Sequence, residues 1–132
     1  MTRRESRENI FKMLFRVEFH EQDTFDEQFV LFKEALENLS EEDFAYIKEK
    51  CELIIEKIEE IDERINLVSK GWKTSRMSKV DLAIIRLAVY EIMYEEEIPF
   101  KVSVNEAVEL AKKYGSDDSS SFVNGVLAKF AC

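Results

Sequence analysis

Arginine suits phosphate because its planar guanidinium presents a fork of donors and never loses its charge. Four arginines fall within the first sixteen residues of this chain, Arg3, Arg4, Arg7 and Arg16, with Lys12 among them and only Glu5 and Glu8 opposed. Arginines in the first turns of a helix also oppose its macrodipole, which favours acids there. That local cost points to a polyanion contact, and an ordinary solvated helix end is the alternative. A second basic group surrounds Trp72 in the stretch KGWKTSRMS, where Lys70, Lys73 and Arg76 lie between Arg64 and Lys79. An aromatic ring among cations can stack an unpaired base while the cations hold phosphates. The competing and preferred reading from composition alone tucks Trp72 into the fold as an anchor. With both islands on one face, single-stranded RNA becomes the favoured ligand.

No other residues suggest reactive chemistry. His20 stands alone at the end of the first helix and reads as a solvated histidine. There is no CxxC, no HxxxH and no glycine-rich phosphate loop. The carboxylates of EEDF, EKIEEIDE and YEEEI form charge runs, the mark of solvated faces and helix caps. The expectation is a non-enzyme without metal or cofactor. Phe11, Phe15 and Phe19 recur at every fourth position, more than one core-facing stripe requires, so one or two of them can line a groove for a protein partner.

These residues need elements to hold them. At 132 residues the chain is most simply one domain with a single core. Hydrophobic residues at 45% and charged residues at 36% exclude a disordered chain. Three glycines and one proline leave little material for tight turns, which favours an all-α fold. Cys51 and Cys132 read as reduced thiols rather than a disulfide. No apolar run approaches the ~18 residues of a membrane span and no signal segment is evident, so the expectation is a soluble, cytoplasmic protein. The net charge of −9 is unevenly spread: residues 1–16 carry +3, residues 17–63 carry −13, residues 64–80 carry +5 and the remainder −4. Two basic islands stand in an acidic chain, and that acidity disfavours indiscriminate polyanion binding.

Periodicity gives six helices in a compact bundle. The first runs from about Arg3 to His20, with Arg3, Arg7, Ile10, Leu14 and Val17 on one stripe. Arginine precedes the apolar part, so Arg3 and Arg7 are expected to project together past the core with Arg4 beside them. Thr24 with Glu27 suggests a capping box for a second helix over 25–39. Ser40 with Asp43 opens a third, amphipathic over its whole length from Glu41 to Ser69. After a break at Gly71, Ser78 with Asp81 opens the fourth, KVDLAIIRLAVYEIMY, apolar nearly all round and therefore the most buried. Pro99 excludes its continuation. Ser103 with Glu106 is expected to cap the fifth helix, which Gly115 ends. The sixth is FVNGVLAKFA, in which Gly125 is expected to allow close helix approach.

From the fourth helix onward the sequence resembles a known family. RMSKVDLAIIRLAVYEI, EIPFKVSVNEAVELAKKYG and SSSFVNGVLAKF, together with the N-terminal RRESRENIFKMLF, are similar to the bacterial transcription antitermination factor family NusB. The series is long and specific and touches both ends of the chain, while the segment 24–68 is generic. The resemblance implies two packed three-helix bundles and no catalysis. It implies binding of the single-stranded boxA element of nascent ribosomal RNA, a heterodimer with small-subunit ribosomal protein ten, and assembly with other Nus factors on RNA polymerase. The family's RNA contacts map onto Arg3, Arg4 and Arg7, onto Trp72 and Lys73 before the fourth helix, and onto Asp118 and Phe122 around the start of the sixth. Its protein-partner contacts map onto Phe15, Phe19 and Asp81. For Asp81 a capping role competes, and for Phe122 a core role. Similar domains begin some RNA cytosine methyltransferases, but a chain ending at Cys132 leaves no room for a cofactor domain. A homo-oligomer that hides the arginine face is the alternative of a different class.

Overall fold

In the computed structural model, residues 1–20, 24–36 and 38–131 are described, and every regular element among them is helical. The elements are α1 (Arg3–Glu18), α2 (Phe25–Ala35), α3 (Glu41–Glu56), α4 (Ile58–Val68), α5 (Lys79–Tyr94), α6 (Phe100–Tyr114) and α7 (Ser119–Ala128), with one 3-10 turn at Thr74–Arg76. The expectation for Cys132 lies outside the described residues. No helix among them is long and apolar enough to cross a membrane.

The third helix expected from periodicity is two. α3 stops at Glu56, Lys57 leaves helical geometry at φ −99° and ψ 8°, and α4 begins at Ile58. No glycine or proline marks the place, and the apolar positions run through it, so pattern alone joins the two segments. Seven α-helices result among the described residues, and the chain divides into two units, Met1–Ile55 and Glu56–Cys132.

The first unit holds α1, α2 and most of α3. Ile10, Phe11, Met13 and Leu14 of α1, Phe29 and Phe32 of α2, and Phe44, Ile47, Cys51 and Ile54 of α3 are buried. The Phe29 and Phe44 rings meet edge-on at 6.3 Å between centroids, a favoured aromatic geometry. The Cys51 thiol donates to the Ile10 carbonyl at 3.8 Å, and burial pushes that thiol far above its usual range. Ser40 caps α3 as expected, accepting from the Asp43 N–H at 3.1 Å. Thr24 does not make the capping contact expected of it, because its backbone is already near-helical (φ −97°, ψ 10°) rather than extended.

The second unit is organised by α5, which packs against α4, α6 and α7. Ten of its residues are buried, as the apolar run requires. Arg86 forms a two-pronged ion pair with Asp62 of α4 at 2.9 and 2.7 Å, the fork geometry that suits guanidinium and carboxylate. Between the same two helices the Tyr94 hydroxyl donates to Glu60, and that bond raises the Tyr94 pKa. Ser103 is not a cap. α6 starts four residues earlier, behind Pro99, and Ser103 is a buried mid-helix residue donating to Glu91 of α5 at 2.8 Å. Proline serves well just outside a helix start, where its missing N–H costs nothing. Gly125 does not mediate close approach either: it is exposed, and a Cβ there would meet nothing within 4 Å.

Candidate nucleic-acid interface

The arginine end of α1 is held from two sides. Thr2 is the N-cap in extended geometry; its Oγ1 accepts from the Glu5 N–H at 3.0 Å, and its hydroxyl hydrogen is shared with the Glu5 carboxylate at 3.2 Å. The terminal ammonium of Met1 lies 3.7 Å from Asp43, in the first turn of α3. Glu5 also supplies the acid that the positive end of the helix favours, partly offsetting Arg3 and Arg4. The Thr2–Glu5 spacing is a capping signal of the same type as those noted further along the chain, though it is not among the start signals expected above.

Arg3 and Arg4 are exposed on this capped turn, while Arg7 is half-buried. Burial begins at Ser6, a full turn before the first apolar residue of the stripe. Arg3 and Arg7 therefore do not overhang equally. Arg3 and Arg4 form the open part, and Arg7 sits where α1 enters its packing.

Farther along α1 the phenylalanine ladder passes from core to solvent. Phe11 is buried, Phe15 half-buried and Phe19 59% exposed. The Phe15 and Phe19 rings meet edge-on at 5.0 Å. They line a groove of about 400 Å³ completed by Lys12, Arg16, His20, Phe32, Ala35 and Leu36. Arg16 crosses to α2, its Nε donating to Gln28 at 3.1 Å. The spacing of the phenylalanines foresaw this groove, but the α2 residues of its wall carried no signal.

In the second unit the structure joins two residues that are fifty positions apart. Trp72 and Phe122 lie edge-to-face, 5.8 Å between centroids at 73°, and the Arg76 guanidinium is 5.6 Å from the indole centroid. Trp72 is 53% exposed, so it does not tuck into the fold as composition alone suggested. Met77, buried five residues later, supplies the apolar anchor instead. The connector is nevertheless fastened. Gly71 takes φ +90°, a left-handed angle that favours glycine, and turns the chain out of α4. Ser69 Oγ lies 2.7 Å from the Ile65 carbonyl and 2.8 Å from that of Trp72, and Thr74 N–H donates to Asn66 Oδ1 at 2.8 Å. Lys70 and Lys73 are exposed on either side of the ring.

Asp118 is exposed and precedes α7; its carbonyl accepts from the Phe122 N–H at 3.0 Å, so the two residues share a helical face. Asp81 is different from the other candidates. Ser78 caps α5 by accepting its N–H at 3.1 Å, the residue is only 8% exposed, and its Oδ1 has no hydrogen-bond partner among the described residues. Among the described residues no group of three or more His, Cys, Asp or Glu side chains could hold a metal ion.

Exposed arginines on a capped turn suit phosphates, and, separately, a fastened and exposed aromatic among cations suits an unpaired base. A family model described as NusB matches residues 4–132. The chain belongs to the NusB family. The transcription antitermination protein NusB of Agathobacter rectalis is 63% identical over 131 residues, covering 99% of this chain and all of that one. That of Lachnoclostridium phytofermentans is 53% identical, covering 98% of each. Among solved structures, T. maritima NusB is similar at a TM-score of 0.84 and 32% identity, over 99% of this chain and 91% of that one. A structure of the antitermination factors NusB and NusE in complex with dsRNA is similar at 0.78 and 26%, over 97% and 94%. Membership makes this chain a bacterial transcription antitermination factor with an all-α NusB fold.

Proposed function

We propose that this NusB-family chain is a non-catalytic adaptor in the cytoplasm that binds the single-stranded boxA element of nascent ribosomal RNA. It does so together with small-subunit ribosomal protein ten, and with other Nus factors it helps RNA polymerase read through terminators. The whole chain, residues 1–132, acts as one RNA-binding domain. The observation that carries the reading is the capped first turn of α1, which presents Arg3 and Arg4 to solvent in a chain of net charge −9. A similar structure of the antitermination factors NusB and NusE in complex with dsRNA supports, in coarser form, one protein partner and one RNA partner.

Arg3, Arg4 and Arg7 meet phosphates, with Trp72, Lys73, Asp118 and Phe122 as further RNA contacts. Phe15 and Phe19 offer an apolar seat to the protein partner. Asp81 offers it a buried carboxylate oxygen with no donor among the described residues, which is costly to leave unpaired and so favours a partner that supplies one.

Fluorescence anisotropy of a labelled boxA strand, with and without the ribosomal protein, tests this. The expected result is tighter binding with the partner and a loss of about tenfold or more for Arg3→Ala/Arg7→Ala, since a charge-assisted contact contributes about 1.5 kcal/mol or more. A scrambled strand that binds equally well reduces the activity to nonspecific electrostatics. Light scattering that shows a tight dimer with the arginines covered favours the homo-oligomer instead.

A further inference from the structure

We infer that Trp72 is a stacking platform for one unpaired nucleobase, reading the strand's single-stranded state rather than the identity of the base. The inference rests on the RNA-binding reading above and adds what the second basic island does within it. Tryptophan left half in water forgoes much of the gain that burial would bring, and here the exposure does not come from a loose segment. The Ser69 and Asn66 hydrogen bonds, the left-handed Gly71 and the buried Met77 hold the connector on both sides of the ring. Phe122 and Arg76 then fix the ring itself, one edge-to-face and the other as a cation over the π system. A ring already ordered loses little freedom when a base stacks on it.

The surroundings select the ligand's chemistry. Residues 64–80 carry five cations and no acid, and Lys70 and Lys73, exposed next to Trp72, suit the phosphates on either side of a stacked base. An apolar protein partner would leave those cations unmatched, and a duplex keeps its bases inside its own stack. Every base has a π-face, so this contact tolerates sequence. Discrimination among boxA-like strands must then come from elsewhere in the protein or its partner.

Trp72 is the chain's single tryptophan, so its intrinsic fluorescence reports this site alone. The experiment titrates the full chain with a boxA oligoribonucleotide, its duplex, and a series carrying one abasic position, following fluorescence and, separately, anisotropy of labelled RNA. The single strand is expected to quench Trp72 and the duplex to leave it unchanged. Trp72→Ala should weaken the single strand about 5- to 150-fold, the range that base–aromatic stacking commands, while Trp72→Phe recovers part of the loss. One abasic position should cost wild type a similar factor and cost Trp72→Ala nothing more, because the two changes remove the same contact. Circular dichroism confirms that the variants fold. Binding seen by anisotropy with no change in fluorescence, or full additivity of Trp72→Ala with every abasic position, overturns the stack while leaving RNA binding intact. Absence of binding by anisotropy, with and without the ribosomal protein, overturns both.

Discussion

Two glycines of the second unit answer differently to the same substitution. Gly115 ends α6 in an extended conformation (φ −91°, ψ −171°), so no left-handed angle demands glycine there. Space demands it: a Cβ would fall 2.4 Å from both Cβ and Oγ of Ser119 and 2.8 Å from the Ala111 carbonyl. Ser119 cannot easily yield, since it is buried and its Oγ accepts from the Ser116 N–H at 2.9 Å. Gly115→Ala is therefore expected to destabilise by about 1–3 kcal/mol, as overpacking does. Gly125→Ala lies in a helix with open space around it and should stabilise by about 0.5–1 kcal/mol, by limiting the unfolded chain and improving helix propensity. Urea unfolding of both variants checks the pair, and equal signs would refute the steric account. The sequence showed Gly115 as a terminator but misjudged Gly125, because closeness across a helix depends on what lies opposite. The same holds for Trp72. A buried anchor and an exposed ring have one composition, and the 53% exposure of Trp72 decides between them.

At the scale of elements, start signals were legible where side chain and backbone act within four residues. Ser40 and Ser78 cap α3 and α5 where the spacing places them. Ser103 has an equally good spacing, yet Pro99 starts α6 and leaves Ser103 inside it, aimed at Glu91. A serine that can cap a helix can also bond across to a neighbour, and tertiary packing chose the second use. Ser103→Ala is thus expected to act through α5 rather than through helix initiation. It removes a hydrogen bond from a buried carboxylate and should cost about 1.5–3 kcal/mol, while Ser78→Ala costs about 1 kcal/mol as a lost cap. The distinguishing measurement is a double-mutant cycle with Glu91→Gln, which should couple strongly to Ser103→Ala and not to Ser78→Ala. A Ser103 effect unchanged by Glu91→Gln would return it to a local role. The α3–α4 boundary had no such local signal, because Lys57 leaves the helix without a breaker and the apolar face continues on both sides.

At the scale of the whole molecule, the opposing signs of charge determine what salt will do. Basic islands at residues 1–16 and 64–80 stand against −13 over residues 17–63. If every cation of both islands met a phosphate, log affinity would fall with log salt at a slope of about −7 for a single strand. Acidic residues repel the same strand, and salt screens repulsion as well as attraction, so the observed slope should be distinctly shallower. Arg3→Ala/Arg7→Ala should flatten it further by about 1.4, two contacts at about 0.7 each. The acidic residues have the complementary effect. Glu49 and Glu52 are exposed on α3, and reversing both to lysine leaves the basic islands untouched. The expected outcome is a larger gain in affinity for a scrambled strand than for boxA, with a steeper slope for both. That would show that the acidic residues sharpen preference by suppressing binding elsewhere, as repulsive charge does at specific interfaces. Equal gains for the two strands would mean that it tunes overall affinity alone, and no change would remove the acidic charge from the account of RNA recognition.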